Sequence, residues 1–279
     1  MSAVSFPIAE GRRALVTGGA SGFGAGIAAA LADIGVAVAI ADIDERVDVV
    51  ARTAGEGVLG IRMDVTDPSS VREGVGAAIA AFDGLDTLVN SAGVEIIKPF
   101  LEVTEDEWDH VLDVNLKGTF LVTQAALPSL IESGRGRVVN LSSSAGAKGA
   151  PLVAPYVSSK FAINGLTQAL ALEFAADGVR VNAVMPSSTP ETAMGRRIVD
   201  RKLSLGWAED VLELHERTIR GKFPLGRQGT VADTVNAILF LISDAGDFTT
   251  GHALAVDGGS TIGRGLPPTR RGEEGAGRG

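Results

Sequence analysis

Tyr156 and Lys160 stand four residues apart at the start of a segment with helical periodicity, about Pro155 to Ala175, so both project from one helix face. A tyrosine hydroxyl, with a reference pKa of about 10, is a poor base near neutrality. A neighbouring ammonium group favours the phenolate and lowers that value, and a tyrosine so tuned can exchange a proton with an alcohol or a carbonyl. Tyr156 is the only tyrosine in the chain. By itself the pattern also describes an aromatic stem beside a snorkelling lysine, which is common on helices. Three adjacent hydroxyls, Ser142, Ser143 and Ser144, follow the apolar run Arg137 to Leu141. A hydroxyl at such a strand end can hold a substrate oxygen and steady the charge that develops on it. The residues alone do not choose among the three.

A second cluster lies upstream. Thr17-Gly18-Gly19-Ala20-Ser21-Gly22-Phe23-Gly24 sits where an apolar strand, Arg13 to Val16, gives way to a helical pattern marked by Phe23, Ile27, Leu31 and Ile34. Glycines there let the backbone approach a pyrophosphate, and the helix N-terminus offers N–H donors and a partial positive charge. Alone, such a run also reads as a tight turn. Asp42 closes the next strand, eighteen residues after Gly24. A carboxylate there can accept both ribose hydroxyls of an adenosine and repel a 2′-phosphate. No Arg or Lys occupies Ser21 or Ile43 to receive such a phosphate. NAD is therefore expected over NADP.

These residues need a scaffold, and the chain supplies alternating strand-like and helix-like runs. Val36 to Ala41, Val58 to Arg62, Leu85 to Asn90, Arg137 to Leu141, Val179 to Val184 and Ala253 to Val256 read as further strands. Helices are expected after Asp67-Pro68, from about Thr104 to Glu132, through Pro155 to Ala175, and from Val231 to Ser243. Strands separated by helices imply right-handed crossovers. The fold class is α/β: one doubly wound, Rossmann-type parallel sheet with helices on both faces. The domain spans residues 1–263, with an inserted lid over residues 189–223 and a glycine-, proline- and arginine-rich flexible tail at 264–279.

Composition narrows the rest. The 279 residues include 45% hydrophobic and 21% charged, enough for a large core and against disorder. No cysteine is present, which removes disulfides, thiolate metal sites and cysteine nucleophiles and favours a reducing, cytoplasmic setting. A net charge of −9 opposes nucleic acid and anionic membranes as partners, and no apolar stretch is long enough to cross a bilayer. His110, His215 and His252 lack metal-ligand spacing, so no metal is expected.

The glycine spacing is T-G-x-x-x-G-x-G, and with it the chain resembles the classical short-chain dehydrogenase/reductase family up to about Gly263. Asp64-Val65, Asn90-Ser91-Ala92-Gly93, Asn115, Tyr156-x-x-x-Lys160 and Asp257-Gly258-Gly259 match that family in order and spacing. The resemblance implies that Asp64 and Val65 contact adenine and that Asn90 to Gly93, Ala92 included, line the cofactor cleft. It selects Ser143 as the hydroxyl that acts with Tyr156. It also implies that Asn115 disturbs its helix and holds a water, linking Lys160 to solvent, and that Lys160 binds the nicotinamide ribose. The family usually carries Pro-Gly and then a Thr after the sixth strand; here the stretch is Pro186-Ser187-Ser188-Thr189-Pro190-Glu191-Thr192. Ser187 replaces the glycine, and Thr192, with Thr189 as the alternative, is expected at the nicotinamide.

The resulting expectation is an NAD-dependent oxidoreductase that interconverts a secondary alcohol and a ketone, using Asn115, Ser143, Tyr156 and Lys160. Extended relatives that act as sugar-nucleotide epimerases place glycine where Ser21 stands, a sensor would be expected to have lost part of the catalytic set, and no histidine is placed for a serine hydrolase. Glu95, Ser144, Pro151, Ser188 and Trp207 are candidate substrate contacts, with Leu205 beside Trp207 in the lid. Their mostly small or apolar character points to a neutral, non-phosphorylated small molecule. The resemblance further implies a homotetramer or homodimer built on the two long helices; Phe120, Leu121, Ala125 and Leu127 give the first of them an apolar face, which reads equally as core.

Overall fold

The structure is a computed structural model and describes residue 8, residues 10–214 and residues 222–263. Seven strands form one wholly parallel sheet in the order β3-β2-β1-β4-β5-β6-β7. They are β1 (Arg13–Thr17), β2 (Ala37–Asp42), β3 (Leu59–Arg62), β4 (Thr87–Asn90), β5 (Arg137–Leu141), β6 (Arg180–Pro186) and β7 (Ala253–Val256). The chain winds outward from β1 to β3, then returns to lay β4 on the other side of β1. The crevice at that reversal, beyond the strands' C-terminal ends, is where such sheets present residues to a ligand. Alternation along each strand feeds two cores. Val16, Val38, Ile40 and Val139 point to one face and meet Ile27 and Leu31 of α1 (Gly22–Asp33) and Ile238 of α8 (Val231–Ile242). Leu15, Ala39, Leu88 and Val138 point to the other and meet Val71 and Val75 of α3 (Pro68–Phe82) and Val122 and Ala126 of α5 (Gly118–Glu132). Residues buried on both faces explain why the strands read as unbroken apolar runs.

The remaining helices are α2 (Val47–Ala54), α4 (Glu105–Leu112), α6 (Ala154–Phe174) and α7 (Ala193–Ser204). The expected single helix from Thr104 to Glu132 is interrupted: α4 and α5 are joined by a π-helical turn over Asp113–Lys117, with Asn115 buried at its centre. At the end of that turn Gly118 packs on Val65, and a Cβ there would come within 2.8 Å of the valine side chain. Within residues 189–223 the described part is α7, the turns around it and a helical stretch over residues 211–214; residues 215–221, including His215, and the tail at 264–279 lie outside the described residues. On α5 only Phe120 of the four apolar-face residues is exposed. Leu121, Ala125 and Leu127 pack against the core, while Phe161 and Leu172 of α6 are exposed.

Candidate active site

The loop after β1 folds onto the loop after β4. Thr17 Oγ1 accepts from the N–H groups of Ser91 and Ala92, at 3.1 and 3.2 Å, and so ties the two strand ends together. Gly18 has φ +64, and a Cβ on it would lie 2.7 Å from Ala92 Cα. Gly24 is buried inside the same turn, where a Cβ would meet the Gly18 carbonyl oxygen at 2.1 Å. Only glycine fits either position. Ser21 stands at the N-cap of α1 without a side-chain bond to the helix, so it does not take up the first-turn amides of α1. Asp42 sits beside the loop: its Oδ2 accepts from Ala20 N at 2.9 Å and its Oδ1 from Asp44 N at 3.0 Å. Asp64 Oδ1 accepts from the backbone and hydroxyl of Thr66. Gly18, Ser21, Asp42 and Asp64, with Gly22, Phe23, Ile43, Val65, Ala92 and Gly93, line a cavity of about 480 Å³. His110 also lies in its wall. A shape that closes when glycine gains a carbon, an uncapped helix start and a carboxylate at the β2 end together fit a dinucleotide.

Asn90 departs from expectation. Its side chain is buried in the sheet, where Nδ2 donates to Thr123 Oγ1 and Asn140 Oδ1, each at 2.9 Å. It braces β4 against β5 and α5 rather than opening into the cleft; the neighbouring Ser91 to Gly93 do face it. The π turn turns Asn115 into a clamp. Its Oδ1 accepts from Val94 N at 2.8 Å, while Nδ2 donates to the Val94 carbonyl and to Ser159 Oγ, both at 3.0 Å. Its own carbonyl accepts from Thr119 Oγ1. A Cβ on Gly93 would come within 3.4 Å of Asn115 Oδ1 and 3.7 Å of Lys160 Nζ, so the three residues converge. Lys160 Nζ donates to the Leu141 carbonyl at 2.7 Å and lies 5.5 Å from the centre of the Tyr156 ring.

A second cavity, of about 280 Å³, has Ser143, Tyr156 and Lys160 in its wall and shares Phe23, Ser91, Gly93, Thr192 and Met194 with the first. Its electrostatics differ from the simple expectation. Burial pushes Tyr156 up to about 12; the Ser143 hydroxyl favours the phenolate and Glu95 opposes it. Burial brings Lys160 down to about 8. At this distance, and without a second positive charge, Lys160 does not overcome the loss of hydration around the phenol. Glu95 is pushed up to about 7 by burial, against the pull of Arg197 and Lys202, and its Oε1 has no hydrogen-bond partner.

The other expected residues fall on this cavity as well: Ser144, Pro151, Pro186, Ser187, Ser188, Thr189, Leu205 and Trp207 are in its wall. Ser143 Oγ accepts from Ala145 N, and Ser142 turns away to donate to the Lys160 carbonyl. Thr192 caps α7, accepting from Gly195 N and donating to the Thr189 carbonyl, both at 2.9 Å. It borders both cavities, whereas Thr189 borders only the second. The Ser187 hydroxyl is buried without a partner. Sequence reading placed Thr17 in the glycine motif without a role, and overlooked Lys148, Lys202 and Lys222, which reach the second cavity from separate segments. Among the described residues no group of acidic or histidine side chains is placed to hold a metal ion, and no helix is long and apolar enough to cross a membrane.

A family model described as Enoyl-(Acyl carrier protein) reductase matches residues 18–261. The 2-(S)-hydroxypropyl-CoM dehydrogenase 3 of Xanthobacter autotrophicus is 37% identical over 250 residues, which are 88% of this chain and 95% of that protein. An actinorhodin polyketide ketoreductase solved with NADPH superposes with a TM-score of 0.84 at 33% identity, covering 90% of this chain and 97% of its own. A 3-ketoacyl-(acyl-carrier-protein) reductase from Brucella melitensis solved with NADH gives 0.80 at 31% identity, covering 91% and 99%. With the parallel sheet, the glycine turn and the Tyr156–Lys160 pair already in place, these matches make the chain a member of the classical short-chain dehydrogenase/reductase family, an oxidoreductase fold that acts on CH–OH groups with a nicotinamide cofactor.

Proposed function

We propose that this protein is an NAD(H)-dependent oxidoreductase that interconverts a secondary alcohol and a ketone. The observation that carries the reading is the position of Tyr156, Ser143 and Lys160 in one cavity that shares a wall with the dinucleotide-shaped cavity beside it. Bound there, the nicotinamide supplies the acceptor or donor of hydride. Gly18, Ser21, Gly22 and Phe23 would hold its pyrophosphate, Asp42 and Ile43 the adenosine ribose, Asp64 and Val65 the adenine. Lys160 would hold the second ribose, with Pro186, Ser187 and Thr192 on the nicotinamide side. Ser143 holds the substrate oxygen, Tyr156 takes or gives its proton, and Asn115 positions the segment beside Lys160 through which that proton is relayed.

We favour NAD over NADP on Asp42, whose carboxylate lies in the cavity wall. Arg46 forms a bidentate pair with Asp44, at 2.6 to 3.2 Å, and Arg62 pairs with Glu45 at 3.3 Å. Neither arginine lines the cavity, in whose wall the one arginine is Arg197. We place the protein in the cytoplasm, on a composition free of cysteine. Assembly as a homotetramer or homodimer through α5 and α6 would cover Phe120, Phe161 and Leu172, and light scattering measures it.

The test of the reaction is Tyr156→Phe. That variant should lose alcohol oxidation while still binding NADH, read from the enhancement of NADH fluorescence. Turnover retained in Tyr156→Phe would overturn the mechanism.

A further inference from the structure

The second cavity is not the neutral pocket that its serines, prolines and aliphatic residues imply. Lys148, Lys202 and Lys222 stand in its wall together with Tyr156 and Ser143. They arrive from three separate segments. Lys148 follows the Ser143 loop and donates to the Ser260 carbonyl. Lys202 is on α7, with Nζ 5.6 Å from the centre of the Trp207 ring. Lys222 precedes Phe223, with Nζ 5.2 Å from that ring. An ammonium has three donors and no acceptor, so Lys148 keeps two to spare. Neither Lys202 nor Lys222 forms an ion pair with a carboxylate of the described residues.

Lysines normally extend into water, where nothing opposes their charge. Here burial weakens Lys202 and Lys222 as bases, against the pull of Glu95 and Asp257 respectively, and Lys222, brought down to about 8, is also repelled by Lys202 and Lys148. The one carboxylate lining this cavity is Glu95. It makes no ion pair with these lysines, and three ammonium groups face one carboxylate, so the wall is positive overall. Converging cations in a partly dry cavity are unfavourable until an anion joins them, when each can give a charge-assisted hydrogen bond. Leu152, Ile198 and Trp207 offer apolar surface for the carbon frame of the same molecule.

Resting on the oxidoreductase reading above, we infer that the alcohol or ketone substrate carries an anionic group, and that Lys148, Lys202 and Lys222 receive it while its oxygen lies between Ser143 and Tyr156. The group has the shared chemistry of a carboxylate, a sulfonate or a phosphate. A cavity of about 280 Å³ limits the rest to a compact frame.

Binding can be read without turnover. The chain has two tryptophans, so Trp108→Phe leaves Trp207, in the cavity wall, as the reporter. Benzoate, benzenesulfonate and phenyl phosphate are titrated against benzamide in the full-length protein with NADH bound. At least one anion should quench Trp207 saturably at concentrations where benzamide does not, and the tightest of the three identifies the group. Lys202→Gln and Lys222→Gln should each weaken that anion about tenfold, the size of one charge-assisted hydrogen bond. Lys202→Arg, which keeps the charge, should retain the preference and shows that loss in the glutamine variant is not misfolding. Benzamide binding as tightly as the anions, or glutamine variants that leave anion affinity unchanged, would overturn the inference. In a second arm, kcat/KM is compared for a hydroxy acid and its methyl amide, and the acid should be preferred about tenfold or more. Equal turnover of the two defeats the anionic substrate and leaves the reaction standing. Anion binding with no oxidation of either defeats the reaction instead.

Discussion

On the dinucleotide side of the crevice the shape is set by backbone. Gly18 and Gly24 let two loops touch where any Cβ would collide, and Thr17 ties the β1 and β4 ends together. On the substrate side the shape is set by side chains from distant segments: Glu95, the Ser143 loop, Tyr156, α7 and Lys222. The carboxylates of the first wall, Asp42 and Asp64, each accept from neighbouring N–H or hydroxyl groups, whereas the second contains a partnerless carboxylate oxygen, a partnerless Ser187 hydroxyl and three lysines. The contrast separates a wall moulded by backbone from a wall built of side chains. Substitutions should therefore act differently on the two walls.

Tyr156→Phe should have the largest effect, a loss of about 10³-fold or more in kcat at the top of the range for general acid–base catalysis, with NADH binding retained. Gly18→Ala should do the reverse. Its forced φ of +64 and the contact with Ala92 should abolish saturable NADH binding and lower the stability by about 1–3 kcal/mol, read by thermal unfolding. An alanine variant that still binds NADH normally would remove the idea of a backbone mould. Asp42→Ala should leave the fold intact and cut the preference for NADH over NADPH about tenfold or more, the worth of a charge-assisted hydrogen bond and a lost repulsion. A wild-type protein that prefers NADPH contradicts the assignment outright.

The smallest effect concerns Glu95 and stability. Its carboxyl is held at about 7 in the folded protein against 4.5 when free, so the unfolded chain gives up this proton first as pH rises. Stability should consequently fall between about pH 4.5 and 7 on account of this group, and Glu95→Gln should remove that slope. The variant should unfold at a higher temperature than wild type at pH 8 and at nearly the same temperature at pH 4.5. A difference that does not grow with pH would show that Glu95 is not held in a dry site.

The same contrast explains how far the sequence could be read. All seven strands were legible because each is an apolar run with the spacing of a doubly wound sheet, and the glycine turn was legible because backbone approach leaves its mark within eight consecutive residues. The interrupted helix was harder: the periodicity of α4 and α5 runs nearly unbroken through Asp113–Lys117, and only the poor helix former Asn115 marks the π turn. Asn90 sits in a motif that points to the cofactor, yet its amide is drawn into the sheet by Thr123 and Asn140, partners 33 and 50 residues away. The lysine convergence was not legible at all. Lys148, Lys202 and Lys222 look like ordinary solvated charges until the fold brings the Ser143 loop, α7 and Lys222 to one cavity.

The account rests on Tyr156 as a proton-transfer group whose pKa is set by its surroundings, and the chain offers a direct way to see it, because no other tyrosine contributes phenolate absorbance. The pH titration near 295 nm should be recorded for the protein alone and with saturating NAD⁺. Alone, burial should hold Tyr156 as the phenol past pH about 10. With NAD⁺ bound, the added positive charge beside Lys160 should bring the phenolate in at least about two pH units lower, parallel to the rise of alcohol oxidation with pH. The same titration in Lys160→Met should lose most of that displacement. A phenolate transition that is unmoved by NAD⁺, or that moves equally in Lys160→Met, would contradict the central claim.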